Sequence, residues 1–136
     1  MTEQSKLPPQ ALDFEDCVLG AAMLEKEGTE TVLALLNKDV FYLATNSTII
    51  NAIKELSNQK SPVDILTVTQ YLKSKKQLED IGGAYYITQL TNRVASAANC
   101  EFHCRIILEQ YFKRELINSG NRISNLSYDE GSDVFD

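Results

Sequence analysis

Cys100, His103 and Cys104 stand three and four residues apart, a spacing that sets their side chains on adjacent turns of one helix. Ligand pairs at that spacing can share a metal ion, with Cys17 as a fourth donor. Nothing like a paired Cys-x-x-Cys knuckle accompanies them, so buried small thiols on a helix are the favoured reading. The same residues could form a Cys–His nucleophile pair. The chain has one histidine and no orienting acid in a recognisable motif, which leaves that pair unsupported. The carboxylates of Asp13, Glu15 and Asp16, and of Glu79 and Asp80, read as helix-start charges rather than as an acid–base pair. None of the glycines at 20, 28, 82, 83, 120 and 131 precedes a lysine, so no phosphate-cradling loop exists in this sequence. Gly82-Gly83 reads as a turn between two short helices, because no strand precedes it. Tyr85 and Tyr86 differ from these sites. Of two adjacent helical aromatics one faces the core, and the other is available as a protein-binding anchor.

The elements that must position these residues are all helical. Pro8-Pro9 closes a polar lead-in over residues 1–9, read as flexible or extended. Asp13 is placed as an N-cap, with Phe14, Cys17, Val18, Ala21 and Ala22 on the face of a first helix reaching about Lys26. Gly20, mid-helix, predicts a second helix packed closely on the backbone. Gly28 is read as the end of that helix and Thr29 as the cap of the next, which carries Val32, Leu33, Leu35 and Leu36. Asn46 or Ser47 starts a third helix with Ile49, Ile50, Ile53 and Leu56 on one face. Asp64, with Thr67 three residues on, starts a fourth that buries Ile65, Val68 and Leu72. A short turn over residues 77–81 precedes the Gly82-Gly83 break, and residues 84–90 form another short helix. No segment alternates with period two over a convincing length.

The globule is assigned to residues 10–94 and a long helical arm to 95–126, the helix itself running from about Ser96 to Leu126. Along that helix Ala98, Phe102, Ile106 and Glu109 lie on one line. Ile107, Tyr111, Arg114 and Ile117 form another, and Leu108, Phe112, Leu116 and Ile123 a third. One core cannot cover so much of a circumference, so the arm is expected to need a second partner. Gly120 and Asn118 suggest a bend near its end. Residues 127–136 read as a linker or as the start of a truncated second arm, with Ser132 or Asp133 opening a further helix.

Composition narrows the function classes. Carboxylates outnumber Lys and Arg 19 to 13, for a net charge of −6. A phosphate-gripping surface needs the opposite excess, which argues against nucleic-acid binding by this chain alone unless its cations segregate to one face. Three cysteines, no secretory apolar run and no 18-residue apolar stretch point to a cytoplasmic protein with reduced thiols and no membrane partner. With no tryptophan, the core is expected to be aliphatic.

The motifs, in order, resemble a family. They are Pro8-Pro9, Glu15-Asp16-Cys17-Val18-Leu19-Gly20, Phe41-Tyr42, Pro62-Val63-Asp64-Ile65-Leu66-Thr67-Val68, Gln77-Leu78, Gly82-Gly83-Ala84-Tyr85-Tyr86 and Ser96-Ala97-Ala98-Asn99. Together they closely resemble the N-terminal domain of the bacterial replicative DNA helicase, the DnaB family, over residues 7–136. Asp16-Cys17 replaces the more usual Gln and small residue, and Ala95 stands where proline is common. The resemblance implies an all-α globule followed by the first arm of a helical hairpin, with the second arm truncated. It implies a non-catalytic module for subunit pairing, ring assembly and primase recruitment at the bacterial replication fork. The parent would be an ATP-dependent 5′–3′ DNA helicase whose motor, with its ATP and magnesium, follows this domain. No cofactor or metal is expected in this chain, and no stable hexamer from it. On matching positions the primase-facing surface would include Tyr86, Arg114, Ile117 and Ile123. The pairing arm would use Phe102, Ile106, Leu108, Phe112 and Leu116. A helical DNA-binding domain and a small zinc protein are the alternatives.

Overall fold

The computed structural model describes residues 6–94 and 96–135. Residues 1–5 of the lead-in, Ala95 and Asp136 therefore lie outside the described residues. Six α-helices and no strand occur among those described: α1 Leu12–Leu24, α2 Lys26–Leu35, α3 Ala44–Asn58, α4 Ile65–Ser74, α5 Gly83–Asn92 and α6 Cys100–Tyr128. Single 3-10 turns occupy Lys38–Val40 and Glu79–Ile81. The fold is all-α, as the patterning predicts.

Helix α1 is the axis of the globule and touches α2, α3, α5 and α6. Its residues Val18 to Met23 are buried without a gap, which is why its apolar pattern extends beyond one stripe. Its N-cap is Ala11, with no side-chain bond, rather than Asp13. Asp13 instead sits in the first turn, where a carboxylate favours the helix dipole. Gly20 is the contact point expected of it: a Cβ there would meet Leu90 O at 2.2 Å, so α5 crosses directly on the α1 backbone.

Gly28 does not end α1. The chain turns at Glu25, whose backbone is extended, and α2 has already begun at Lys26. A Cβ on Gly28 would lie 2.2 Å from Ala21 O. The glycine is therefore needed for close approach inside the corner. Thr29 is buried there and donates its hydroxyl to Ala22 O, in place of capping a helix.

Helix α3 begins at Ala44, ahead of Asn46 and Ser47, with no side-chain cap bond; the turn that leads into it is held from another helix. Glu15 of α1 accepts from Tyr42 N at 2.7 Å and from Leu43 N at 3.5 Å. Helix α4 opens with the expected capping box: Asp64 Oδ1 accepts from Thr67 N at 2.8 Å and Thr67 Oγ1 from Asp64 N at 3.0 Å. It buries Val68 and Leu72, whereas Ile65 faces outward. Helices α3 and α4 end with Lys60 and Lys76 in the left-handed region, each at φ 59°. The next amide closes the turn in both, Ser61 N on Leu56 O and Gln77 N on Leu72 O, a C-terminal motif in which glycine is usual.

The core joins Val18, Leu19, Ile49, Ile50, Ile53, Leu72, Ile87, Leu90 and Ile107 and is aliphatic as composition predicts. Helix α6 starts at Cys100, four residues later than the Ser96 expected, because residues 97–99 are spent in a bend and turn. It has 29 residues, about 43 Å at 1.5 Å each. It passes Asn118 and Gly120 without a break in helical structure. Residues 129–135 form turns and no helix; Asp129 accepts from Gly131 N and Ser132 Oγ at 2.9 and 2.8 Å. The helix start expected at Ser132 or Asp133 does not occur among the described residues.

Candidate assembly and docking surface

The root of α6 is buried and its far end is bare. Cys100, Cys104 and Ile107 pack into the core against α1 and α2. Beyond Arg114 nearly every side chain is exposed to Tyr128, including Leu116 at 72% and Ile123 at 65%. Phe102 and Phe112 are also exposed. Ile106 and Leu108 are half-buried, Leu108 resting against the core. Exposed apolar side chains on one rigid helix mark surface that a partner covers.

Arg114 sits where the buried and bare parts meet. It donates Nη1 to Pro9 O and Nη2 to Val40 O, both at 2.8 Å. Its guanidinium lies 5.5 Å from the Tyr42 ring and 5.8 Å from the Tyr111 ring, contacts worth about 0.5–2 kcal/mol together with the packing they fix. One side chain thus joins the arm, the lead-in and the segment before α3. The Nη1 bond ties Pro9, at the end of the lead-in, to the arm.

Tyr86 meets the same segment indirectly. Its hydroxyl donates to Asn46 Oδ1 at 2.7 Å, and Asn46 Nδ2 donates to Glu15 Oε1 at 3.0 Å. Glu15 is 1% exposed and no basic side chain bonds it among the described residues; two backbone amides and one side-chain amide hold it. Tyr86 is half-buried and engaged, while Tyr85 is 74% exposed. The outward tyrosine of the pair is therefore Tyr85. Glu15 and Asn46 form a buried polar network, where the sequence reads as a first-turn charge and a helix start. The signal for Glu15 was its place in the spacing 15, 18, 19, 22 with Val18, Leu19 and Ala22, which puts it on the core face.

Asp16 lies beside this network. Burial raises its pKa above the ordinary aspartate value, opposed by Arg93, whose Nη1 is 2.7 Å from Asp16 Oδ2. Its buried Oδ1 has no hydrogen-bond partner.

Cys100 and Cys104 are buried and all three cysteines are free. The Cys104 thiol is pushed well up by its hydrogen bond with Cys100 and by burial. Cys17 is also raised, first by burial. Both shifts disfavour the thiolate that nucleophiles and metals require, whereas the Cys100 thiol is lowered by the hydrogen bond it shares with Cys104. His103 packs edge-on to Phe14, ring centroids 5.2 Å apart. Cys17, Cys100 and His103 do line one cavity of about 220 Å³, with Arg93. Among the described residues, no three His, Cys, Asp or Glu side chains converge to hold a metal. Among the described residues, no helix is long and apolar enough to cross a membrane.

Comparison with known proteins agrees with this architecture. A family model for the DnaB-like helicase N-terminal domain matches residues 7–109. A replicative DNA helicase DnaB from Rhodothermus marinus is 39% identical over 134 residues, 98% of this chain and 14% of that protein. Replicative DNA helicase DnaC from Bacillus subtilis is 35% identical over 96% of this chain and 29% of its own length. The chain thus spans less than a third of either relative. The crystal structure of the N-terminal domain of DnaB helicase from Mycobacterium tuberculosis superposes with a TM-score of 0.87 at 34% identity, covering 90% of this chain and 87% of that one. The N-terminal domain of DnaB helicase from Helicobacter pylori, described together with its interactions with primase, has the same fold at a TM-score of 0.72 and 22% identity, over 86% of this chain and 91% of that one. The helix order, the buried root of α6 and the span of the family match together assign the chain to the DnaB-like helicase N-terminal domain family.

Proposed function

We propose that this chain is the assembly and recruitment module of a replicative helicase and performs no catalysis itself. The observation that carries the reading is the bare distal half of α6, where Leu116, Ile117, Ile123 and Leu126 stand exposed on a helix whose root is locked in the core. Such a helix offers two kinds of contact. Its near part, with Phe102, Ile106, Leu108, Phe112 and Leu116, pairs subunits. Its far part, with Ile117 and Ile123, docks primase. Tyr86 and Arg114 serve docking by fixing the start of α3 and the segment before it, Tyr86 through Asn46 and Arg114 through Val40. The sequence has no phosphate-loop motif, so ATP, magnesium and strand separation belong to a motor outside it. The excess of carboxylates leaves DNA contact to that motor too, and the module works in the cytoplasm at the replication fork.

Isothermal titration of the cognate primase's C-terminal domain into the chain tests the docking. Ile123→Ser and Ile117→Ser are expected to weaken binding about tenfold each, as losing a buried apolar anchor does, with an unchanged circular dichroism spectrum. Affinity equal to wild type in both variants would overturn the docking surface.

A further inference from the structure

Three contacts give α1 and α6 a shared seam and a direction. Arg114 Nη1 reaches Pro9 O at 2.8 Å, just ahead of α1. Phe14 and His103 meet with ring centroids 5.2 Å apart. Cys17, Ala21, Ser96, Asn99 and Cys100 then line one cavity of about 220 Å³. Residue numbers rise along α1 as they fall along α6, so the two helices run antiparallel. Cys17 follows Phe14 by three residues and Cys100 precedes His103 by three. That spacing sets the two thiols opposite each other, one turn beyond the ring contact.

The two thiols differ in their surroundings. Cys17 is half-buried, Cys100 is buried, and both are free. Cys100 is the first residue of α6, where the positive end of the helix dipole favours a thiolate. We propose that Cys17 and Cys100 form a thiol–disulfide exchange site, which small disulfides of the glutathione class oxidise to a bridge within the chain. The cavity between them gives both side chains room to turn into the geometry a disulfide needs.

Exposure sets the order of steps. Cys17 gives its proton to solvent, and its thiolate attacks one sulfur of oxidised glutathione. That disulfide breaks, Cys17 carries one glutathione as a mixed disulfide, and the other leaves as a thiolate and takes up a proton. The Cys100 thiolate then attacks Cys17 Sγ and releases the second glutathione in the same way. Two cysteine thiols are oxidised, and one glutathione disulfide is reduced to two thiols. Burial and the neighbouring Asp16 hold the Cys17 thiol up, so the first step is the slow one. The bond shared with Cys104 lowers the Cys100 thiol, and the second step is intramolecular, so the mixed disulfide is consumed as it forms. The bridge closes residues 17–100 into a loop and ties the root of the arm to α1. Thiol reductants reverse it, as a redox-sensing bridge in a reducing compartment requires.

Oxidised glutathione added to the folded full chain tests the site, read by intact mass and by fragmentation of the joined peptides. Wild type is expected to lose two hydrogens and to carry a Cys17–Cys100 link, with Cys104 still a thiol. Dithiothreitol is expected to restore the reduced mass. The bridged chain is expected to melt about 5–10 °C above the reduced one, because the closed loop is long. Cys100→Ser is expected to stop with one glutathione on Cys17, and Cys17→Ser to gain neither link nor adduct. The wild-type link map decides the pairing even where a variant folds poorly. A glutathione adduct that persists on Cys17 in wild type would overturn the pairing, as would a link to Cys104 or between chains. Thiols that all stay reduced in the folded chain, yet react once urea unfolds it, would overturn the site.

Discussion

Glu15 sits in the core held only by neutral donors, and its neighbours Asn46 and Tyr86 depend on it in turn. Replacing it with Ala leaves Tyr42 N, Leu43 N and Asn46 Nδ2 without their acceptor. Urea unfolding is expected to show Glu15→Ala destabilised by about 2–4 kcal/mol, since each stranded buried group costs about 1–3. Tyr86→Phe removes one hydroxyl bond and is expected to cost about 1 kcal/mol. Tyr85→Phe, at an exposed site, is expected to cost nothing measurable. Asp16 has a pH signature. Its folded pKa lies above its ordinary value because burial outweighs Arg93, so the folded state favours the protonated form. That contribution is complete below the ordinary aspartate pKa and is lost as pH rises through the raised one. Melting temperatures of wild type and Asp16→Asn are therefore expected to diverge with rising pH over that window, the wild type falling relative to the variant. A parallel pair of curves would refute the shift. At this scale the sequence was partly legible. The Asp64 and Thr67 box needs only local partners and could be read three residues apart. The Glu15 acceptor could not, because its donors come from residues 42, 43 and 46, across the fold.

Helix boundaries show the same division between local and distant causes. Helix α3 starts early where α1 holds the turn that leads into it, and α2 starts early because the chain can turn at Glu25 alone. Gly28 then reads as a stop in sequence and works as a close contact in the structure. Glycine substitutions separate the two meanings. Gly28→Ala is expected to destabilise by about 1–3 kcal/mol, because its Cβ would press on the Ala21 carbonyl and the corner must open. Gly120→Ala, within exposed helix and with open space for a Cβ, is expected to stabilise by about 1 kcal/mol. Thermal unfolding of the two variants should move in opposite directions. Lys60 and Lys76 offer a third case: glycine at either left-handed position is expected to gain about 0.5–1 kcal/mol, relief of backbone strain outweighing the added freedom of the unfolded chain.

For the molecule as a whole, the order of helices and the exposed arm were legible because apolar periodicity encodes burial directly. The grip of Arg114 was not, since its acceptors are backbone carbonyls at Pro9 and Val40 that no side-chain pattern announces. Arg114→Ala is expected to free the lead-in and loosen the arm while the core stays folded. Limited proteolysis should then cleave the chain before Leu12 faster than in wild type, with an unchanged helical spectrum. Equal protection would show that the root of α6 holds without Arg114. One consequence concerns leverage. From Arg114 to Tyr128 the helix projects about 21 Å, so a tilt of roughly 10° about its root carries the tip some 4 Å sideways, about the width of a side chain. A single guanidinium thus aims every contact beyond it, and a partner gripping the tip pulls on Pro9 and Val40 through a stiff rod.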